Sequence, residues 1–357
     1  MRFKASIQHV NTFAKLAASL ASLGPVAWVR LNEDEVRFTI IPEQGTQVWA
    51  VLAIDSIFDE DYNIQSAANN VINLEVPLAP LQRALKSALT ATSASIRLTK
   101  KDNTPVLSLT IVTNPLGSST HGAFGSGGPS DTYGFGEASL EAQDTRDRET
   151  IVTQDVPVRV LNPNNVEGIH EPRCREPDVH ILLPSLLQLK SISDRFTRLA
   201  LAAKANGTGG GGAGPRLEMA ANMHGCLKLS IRTDAMNISS VWTGLSNPEL
   251  DPSHVEGGVE GIRQHPSTKM KELGSADGRS EEGWATVRID GKDWSKVMSV
   301  GRLCGKVIAC FSDEHALILY VYLPNDEDGR EDSVLTVGSL CFSPTGHRHS
   351  LTGCSTT

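Results

Sequence analysis

Apolar positions change period repeatedly along the 357-residue chain. Val10, Phe13, Leu16, Leu20 and Leu23 fall at helical spacing, and Gly24-Pro25 ends that run. "RFKASI" before it reads as a short strand. "VAWVRL", "EVRFTII" and "QVWAVLAI" after it read as a strand meander with turns at "NED" and "PEQGT". "VINLEV" predicts another strand, "PLAPLQRALKSAL" a short helix opened by Pro77, and "ASIRLTK" with "PVLSLTIV" a hairpin across "KDNT". Residues 114–150 are rich in Gly and Ser and lack a core-building period, which predicts a disordered surface insertion. Order resumes at "IVTQDVPVRVL", and the Pro- and Asn-rich stretch 161–178 reads as an interdomain connector.

The second half repeats this outline. "VHILLP" predicts a strand and "LLQLKSISDRFTRLALAAK" a long helix, with Leu189, Ile192, Phe196, Leu199 and Ala203 as its apolar stripe. Strands follow at "RLEMAA", "CLKLSIRT", "MNISSVW" and "WATVRID", then a short helix at "GKDWSKVMSVGRL", a hairpin of "KVIACFS" with "ALILYVYL", and a last strand "VLTVGSL". Flexible insertions are expected at 206–215, 243–283 and 324–333, and a flexible tail at 341–357. The predicted organisation is a first domain over 1–160, the connector 161–178, and a second domain over 179–340. The pattern alone allows an internal repeat of about 150 residues or two unrelated α+β domains.

Charge sharpens the picture. The predicted helices at 10–23, 77–92, 184–204 and 291–303 carry +1, +2, +3 and +2 on a chain of net −8. Every helix is basic, while the strands and loops are acidic. A concentrated basic surface is the electrostatic footprint of nucleic-acid binding, and phosphate contacts of this kind read no sequence. No zinc finger, RNP pattern or helix-turn-helix is present, so no base-reading module is expected.

Other chemistry finds little support. The six cysteines form no CxxC pair, which suits reduced thiols. "GTGGGGAGP" lacks the Gly-Lys-Ser/Thr of a phosphate loop. "NDEDGRED" lacks the ligand spacing of an EF-hand, and "GHRHS" lies in the polar tail. His170 and His180 have no partner carboxylates in the sequence pattern, and no nucleophile–base set assembles. No apolar run is long enough to span a membrane, and the first residues lack the apolar core of a secretory signal, so residence inside the cell is expected.

"LQRALKSA", "IVTQDVPVRV" and "PDVHILLP", in this order, resemble the HUS-type subunit of the nine-one-one checkpoint clamp, of fungal kind. The likeness covers about 1–113 and 150–200 well, and 216–242 and 284–340 more weakly. It implies an α+β sliding-clamp (PCNA-like) fold: two similar domains, antiparallel sheets outside, two helices from each lining a central channel. It further implies a non-catalytic subunit of a heterotrimeric ring around DNA in the nucleus, with no cofactor and no metal. The implied partners are two other checkpoint-clamp subunits, an ATP-driven loader, double-stranded DNA held without sequence specificity, and repair and checkpoint proteins. Lys15, Arg83, Lys86, Lys190, Arg195, Arg198, Lys292, Lys296 and Arg302 would face the channel. Edge strands holding Val106, Leu107, Leu109 and Ile111, and Ile238, Ser240 and Trp242, would meet neighbouring subunits. A homotrimeric replicative clamp is the nearest alternative, and an enzyme with a dispersed site the alternative of another class.

Overall fold

The computed structural model describes residues 1–340 except 43–45, 114–148, 167, 170, 172–174, 206–215, 234–235, 254, 276, 279, 304 and 324–333. The expected insertions at 206–215 and 324–333, nearly all of that at 114–150, and the tail therefore lie outside the described residues.

The first half runs β1 (Arg2–Ser6), α1 (Val10–Leu23), β2 (Val26–Leu31), β3 (Glu35–Ile40), β4 (Gln47–Ala53), β5 (Asn63–Gln65), β6 (Ile72–Pro77), α2 (Leu78–Ser87), β7 (Ser93–Lys101), β8 (Thr104–Thr113) and β9 (Thr150–Pro157). β10 (Arg159–Val160) and one helical turn, α3 (Pro163–Val166), begin the connector. The second half runs β11 (Val179–Leu182), α4 (Leu186–Ala205), β12 (Arg216–Asn222), β13 (Leu227–Thr233), β14 (Met236–Trp242), α5 (Gly258–Gln264), α6 (Pro266–Leu273), β15 (Trp284–Asp290), α7 (Gly291–Val297), β16 (Lys306–Ser312), β17 (Ala316–Tyr322) and β18 (Val334–Leu340). A 3₁₀ stretch, Met298–Leu303, extends α7.

Local chemistry explains several boundaries. The two-residue turn between β7 and β8 places Asp102 and Asn103 at φ 47° and 67°, the positive-φ pair that a type I′ hairpin needs. Asp290 caps α7 by accepting from the N–H groups of Lys292 (2.8 Å) and Asp293 (3.3 Å).

Three antiparallel sheets result, with strand orders β5-β1-β7-β8-β9, β10-β6-β2-β3-β4-β18-β17-β16-β11 and β14-β13-β12-β15. In the second half β11, α4, β12, β13, β14, β15, α7, β16, β17 and β18 repeat β1, α1, β2, β3, β4, β6, α2, β7, β8 and β9, in both order and pairing. The chain is an internal repeat. Its halves share one sheet because β18 pairs with β4, from Val334↔Val51 to Gly338↔Gln47. Val48, Ala50, Leu335 and Val337 at this joint are buried. Phe13 of α1 packs on Phe38 of β3, ring centroids 6.2 Å apart. The helices thus cover the inner face of the sheet.

The stretch 243–283, expected to be flexible, holds α5 and α6. Short polar helices carry too few apolar positions to show a period. Their position follows from backbone chemistry. Leu182 N–H of β11 donates to Ser246 C=O at 2.8 Å, and Asn247 Nδ2 donates to His180 C=O at 2.7 Å. The segment thus covers the free edge of β11. His180 Nε2 donates to Pro248 C=O at 2.8 Å, and its ring meets His265 edge-on at 6.5 Å. His265 caps α6 by accepting from Ser267 N–H.

Two outcomes are expected. Val337→Asp places a charge in the joint and should cost about 3 kcal/mol or more; amide exchange should rise first at Val48–Val51 and Leu335–Val337, while the β2–β3 pairing stays protected. Burial holds the His180 imidazole below the ordinary histidine range. The stability it confers is therefore present above the unfolded value of about 6.5 and lost as pH falls toward the lower folded value. Urea midpoints at pH 7.5 and 5.5 should differ more for the wild type than for His180→Gln.

Candidate nucleic-acid and subunit interfaces

The four principal helices form one row. α2 packs on α1, α1 on the 3₁₀ extension of α7, and that extension with α7 on α4. The halves approach closely there because small side chains meet: Ser19 Oγ donates to Ser299 C=O at 3.4 Å, and Ser22 Oγ contacts Ser299 Oγ. Leu16, Leu20, Leu81, Leu85, Leu189 and Trp294 point inward and are buried. The opposite face of the row is left to solvent, and the bases lie along it.

All nine predicted channel residues sit on this row. Arg83, Lys86, Arg195, Arg198, Lys292, Lys296 and Arg302 are exposed, and Lys15 is half-buried. Arg83, Lys86, Arg195 and Lys292 make no ion pair with a described carboxylate. Lys296 reaches Asp293 at 3.4 Å, and Arg198 Nε donates to Asp194 C=O at 3.3 Å. Lys190 is placed differently. Its Nζ donates to Asp194 Oδ2 at 3.0 Å, Ser295 C=O at 3.2 Å and Ser295 Oγ. It ties α4 to α7 instead of standing on the open face. The α4 stripe also differs from expectation. Leu186, Leu189, Ser193, Phe196 and Ala200 are its buried line, while Leu199 is 42% exposed. Ser193 and Ala200 are small, so a hydrophobicity count passes over two positions that are fully buried.

The subunit edges need one correction. β8 is not an edge: it is hydrogen-bonded to β7 on one side and β9 on the other. Val106, Leu107, Leu109 and Ile111 are buried there and cannot pair with another chain. The run from Val106 to Ile111 is interrupted by Ser108 and Thr110, and topology, not composition, places it inside its sheet. The edge is β9, polar and β-branched, with Ile151 63% and Val152 40% exposed. Nothing in its composition separates it from an interior strand with a wet face, so only topology reveals it. The second expectation keeps its place in the sheet: β14, with Ile238, Ser240 and Trp242 half-buried, is an edge. The remaining edges are short or covered. β5 has three residues and β10 two, β11 is bonded by Ser246, and β15 accepts at Thr286 C=O from Glu314 N–H.

The connector leaves β10 at one end of the nine-stranded sheet and reaches β11 at the other. Eight strand spacings of about 4.8 Å must be crossed, and 18 residues reach that far when extended. Since helices occupy the inner face, the connector runs across the outer one. Leu161 N–H donates to Asn73 C=O at 2.9 Å, and Glu171 accepts from Thr336 on β18 in mid-sheet. Between connector and sheet lies a cleft of about 600 Å³ floored by Trp28, Arg30, Arg37 and Trp49. Among the described residues no group of His, Cys, Asp and Glu could hold a metal, and no helix is long and apolar enough to cross a membrane.

A doubled strand–helix unit, with four helices in a row and antiparallel sheets behind them, defines a sliding-clamp fold. Solved structures agree. Proliferating cellular nuclear antigen from Entamoeba histolytica superposes with TM-score 0.56 at 11% identity, over 96% of this chain and 99% of that one. The PCNA2–PCNA3 complex of Sulfolobus tokodaii gives 0.52 at 14% identity, over 96% and 99%. The chain belongs to the Hus1-like protein family, whose profile matches residues 1–337. It is 38% identical to checkpoint protein hus1 of Schizosaccharomyces pombe over 337 residues, 94% of this chain and 97% of that protein. It is 26% identical to checkpoint protein HUS1 of Homo sapiens over 73% of this chain and 80% of that protein.

Removing the Lys190 tie by Lys190→Met is expected to cost about 1–2 kcal/mol, whereas Arg195→Gln and Arg198→Gln should stay within about 0.5 kcal/mol of wild type. Urea denaturation of the three variants measures the difference.

Proposed function

We propose that this protein is a non-catalytic subunit of a heterotrimeric checkpoint clamp. In this reading the ring encircles DNA in the nucleus, is placed at damaged sites by an ATP-driven loader, and serves as a platform for checkpoint kinase signalling and repair factors. One observation carries the ring. Within the chain the halves join through β4 and β18, and the free edges β14 and β9 are the repeat counterparts of those two strands. A neighbour offering a β9-like edge to β14, and another offering a β14-like edge to β9, would continue the same joint, by strand addition at an exposed edge. Three two-unit chains close such a ring.

The exposed bases of the helix row would then face DNA. Their contacts are individually weak and salt-sensitive, which suits a ring held by topology and free to slide. Membership in a family of checkpoint proteins supports the heterotrimeric reading over a self-associating processivity clamp.

Light scattering of the purified chain alone, and mixed with the two other clamp subunits, tests this. A one-to-one-to-one complex is expected, weakened about tenfold by Val152→Lys or Val241→Lys, with each variant's own stability unchanged. A homotrimer of the chain alone would overturn the heterotrimer. Replacing Arg83, Arg195 and Arg198 together by Gln should shorten retention of the assembled ring on circular DNA without affecting assembly; unchanged retention would remove the channel assignment.

A further inference from the structure

The internal repeat lets the closed joint be read onto the open edges. Aligning α4 with α1 from their first residues, Leu186 and Val10, sets Leu189 on Phe13, Ser193 on Ala17 and Phe196 on Leu20, all buried. Aligning α2 with α7 from Leu78 and Gly291, each directly after a strand, sets Leu81 on Trp294, Ala84 on Val297 and Leu85 on Met298, again all buried. The match fails where the halves join. Ser19 and Ser299 are buried and Ser22 is half-buried, because α1 meets the 3₁₀ extension of α7 there. Their counterparts, in the order Arg195, Lys86 and Arg198, are exposed. These bases stand beside the two open edges, since α4 packs against β14 and α2 against β9.

We propose that Lys86, Arg195 and Arg198 keep this chain from closing a ring with copies of itself, and select at each edge a clamp subunit whose facing helix carries small uncharged side chains. The inference rests on the ring reading. A second copy brought to β14 by its β9 would set its Lys86 against Arg195 and Arg198, where the inner joint sets Ser299 against Ser19 and Ser22. Three positive charges would converge where the inner joint has hydroxyl groups in contact. Like charges brought together at an interface penalise the wrong partner. Asp194, the acid of α4, is already held by Lys190 at 3.0 Å, and Arg198 Nε is turned to a backbone carbonyl. The strands do not discriminate. β14 holds no charged residue, and the single acid of β9, Asp155, is tied to Lys101 at 2.9 Å. A β9 edge and a β14 edge of this same chain are therefore free to pair, and the helices beside them decide. Against small uncharged side chains the two guanidinium groups extend along the neighbour's helix into the channel, so the same residues keep their charge for DNA.

Analytical ultracentrifugation of the full chain tests this through charge reversal. The wild type is expected to be monomeric in low salt. Lys86→Glu, or Arg195→Glu together with Arg198→Glu, places opposite charges across the self-joint. Each is expected to self-associate at least about tenfold more tightly than wild type, and less so as salt is raised. Reversing all three restores like charge and should return the monomer. Both partial reversals staying monomeric, or the full reversal associating as tightly as either one, would overturn the proposal. So would self-association of Lys86→Glu that survives Val152→Lys, because it would then not use the β9 edge. Serine at all three positions, through Lys86→Ser, Arg195→Ser and Arg198→Ser, copies the inner joint and gives a second reading. This variant too should self-associate more tightly than wild type, and a monomer would count against the proposal in the same way. Mixing the wild type with its two partner subunits judges the ring separately. A one-to-one-to-one complex beside monomeric reversals would sink this inference alone, whereas absence of that complex would sink the ring reading whatever the reversals do.

Discussion

The hydrogen-bonded joint between β4 and β18 organises the molecule. It turns two similar units into one nine-stranded sheet and fixes the angle at which their helices meet. Because β4 and β18 are consumed inside the chain, β14 and β9 are left open. The joint lies at the centre of the sheet, where Val48, Ala50, Leu335 and Val337 exclude water, so the pairing is reinforced by the core on its inner side. On the helix side the matching contact is made by serines. There close approach of backbones matters more than apolar area.

Much of this was legible in the sequence. Helical spacing marked α1 and α4, "KDNT" marked the β7–β8 turn, and the order of elements suggested the repeat. What escaped notice depended on relations between distant strands. β8 was assigned to a subunit boundary by its position in the clamp resemblance, yet β7 and β9 pair with it on both sides. β9 hid its edge behind ordinary β-branched residues. α5 and α6 were unreadable because short polar helices held by caps and by loop-to-strand hydrogen bonds leave no hydrophobic period. The outer cleft was equally hidden: Arg30 and Arg37 are seven residues apart in sequence and meet only through the register of β2 with β3.

Placement also divides the basic residues into two kinds. Lys190 spends its charge on Asp194 and Ser295 and braces α4 against α7. Arg83, Lys86, Arg195 and Lys292 stand on the open face without a described acidic partner. A count of charge per helix treats these alike. The long-range field of the face depends on the second kind, because a base neutralised by a neighbouring acid adds little potential beyond a Debye length of about 8 Å.

The two open edges are not interchangeable. β9 ends the first half beside α2, whereas β14 lies in the second half, followed by the segment that carries α5 and α6. A closed assembly built from such edges has no mirror or two-fold relation between its two sides. Every subunit joins it in the same sense, and every helix row crosses the hole in the same direction. A ring of this kind has a front and a back that differ in surface, whatever it surrounds.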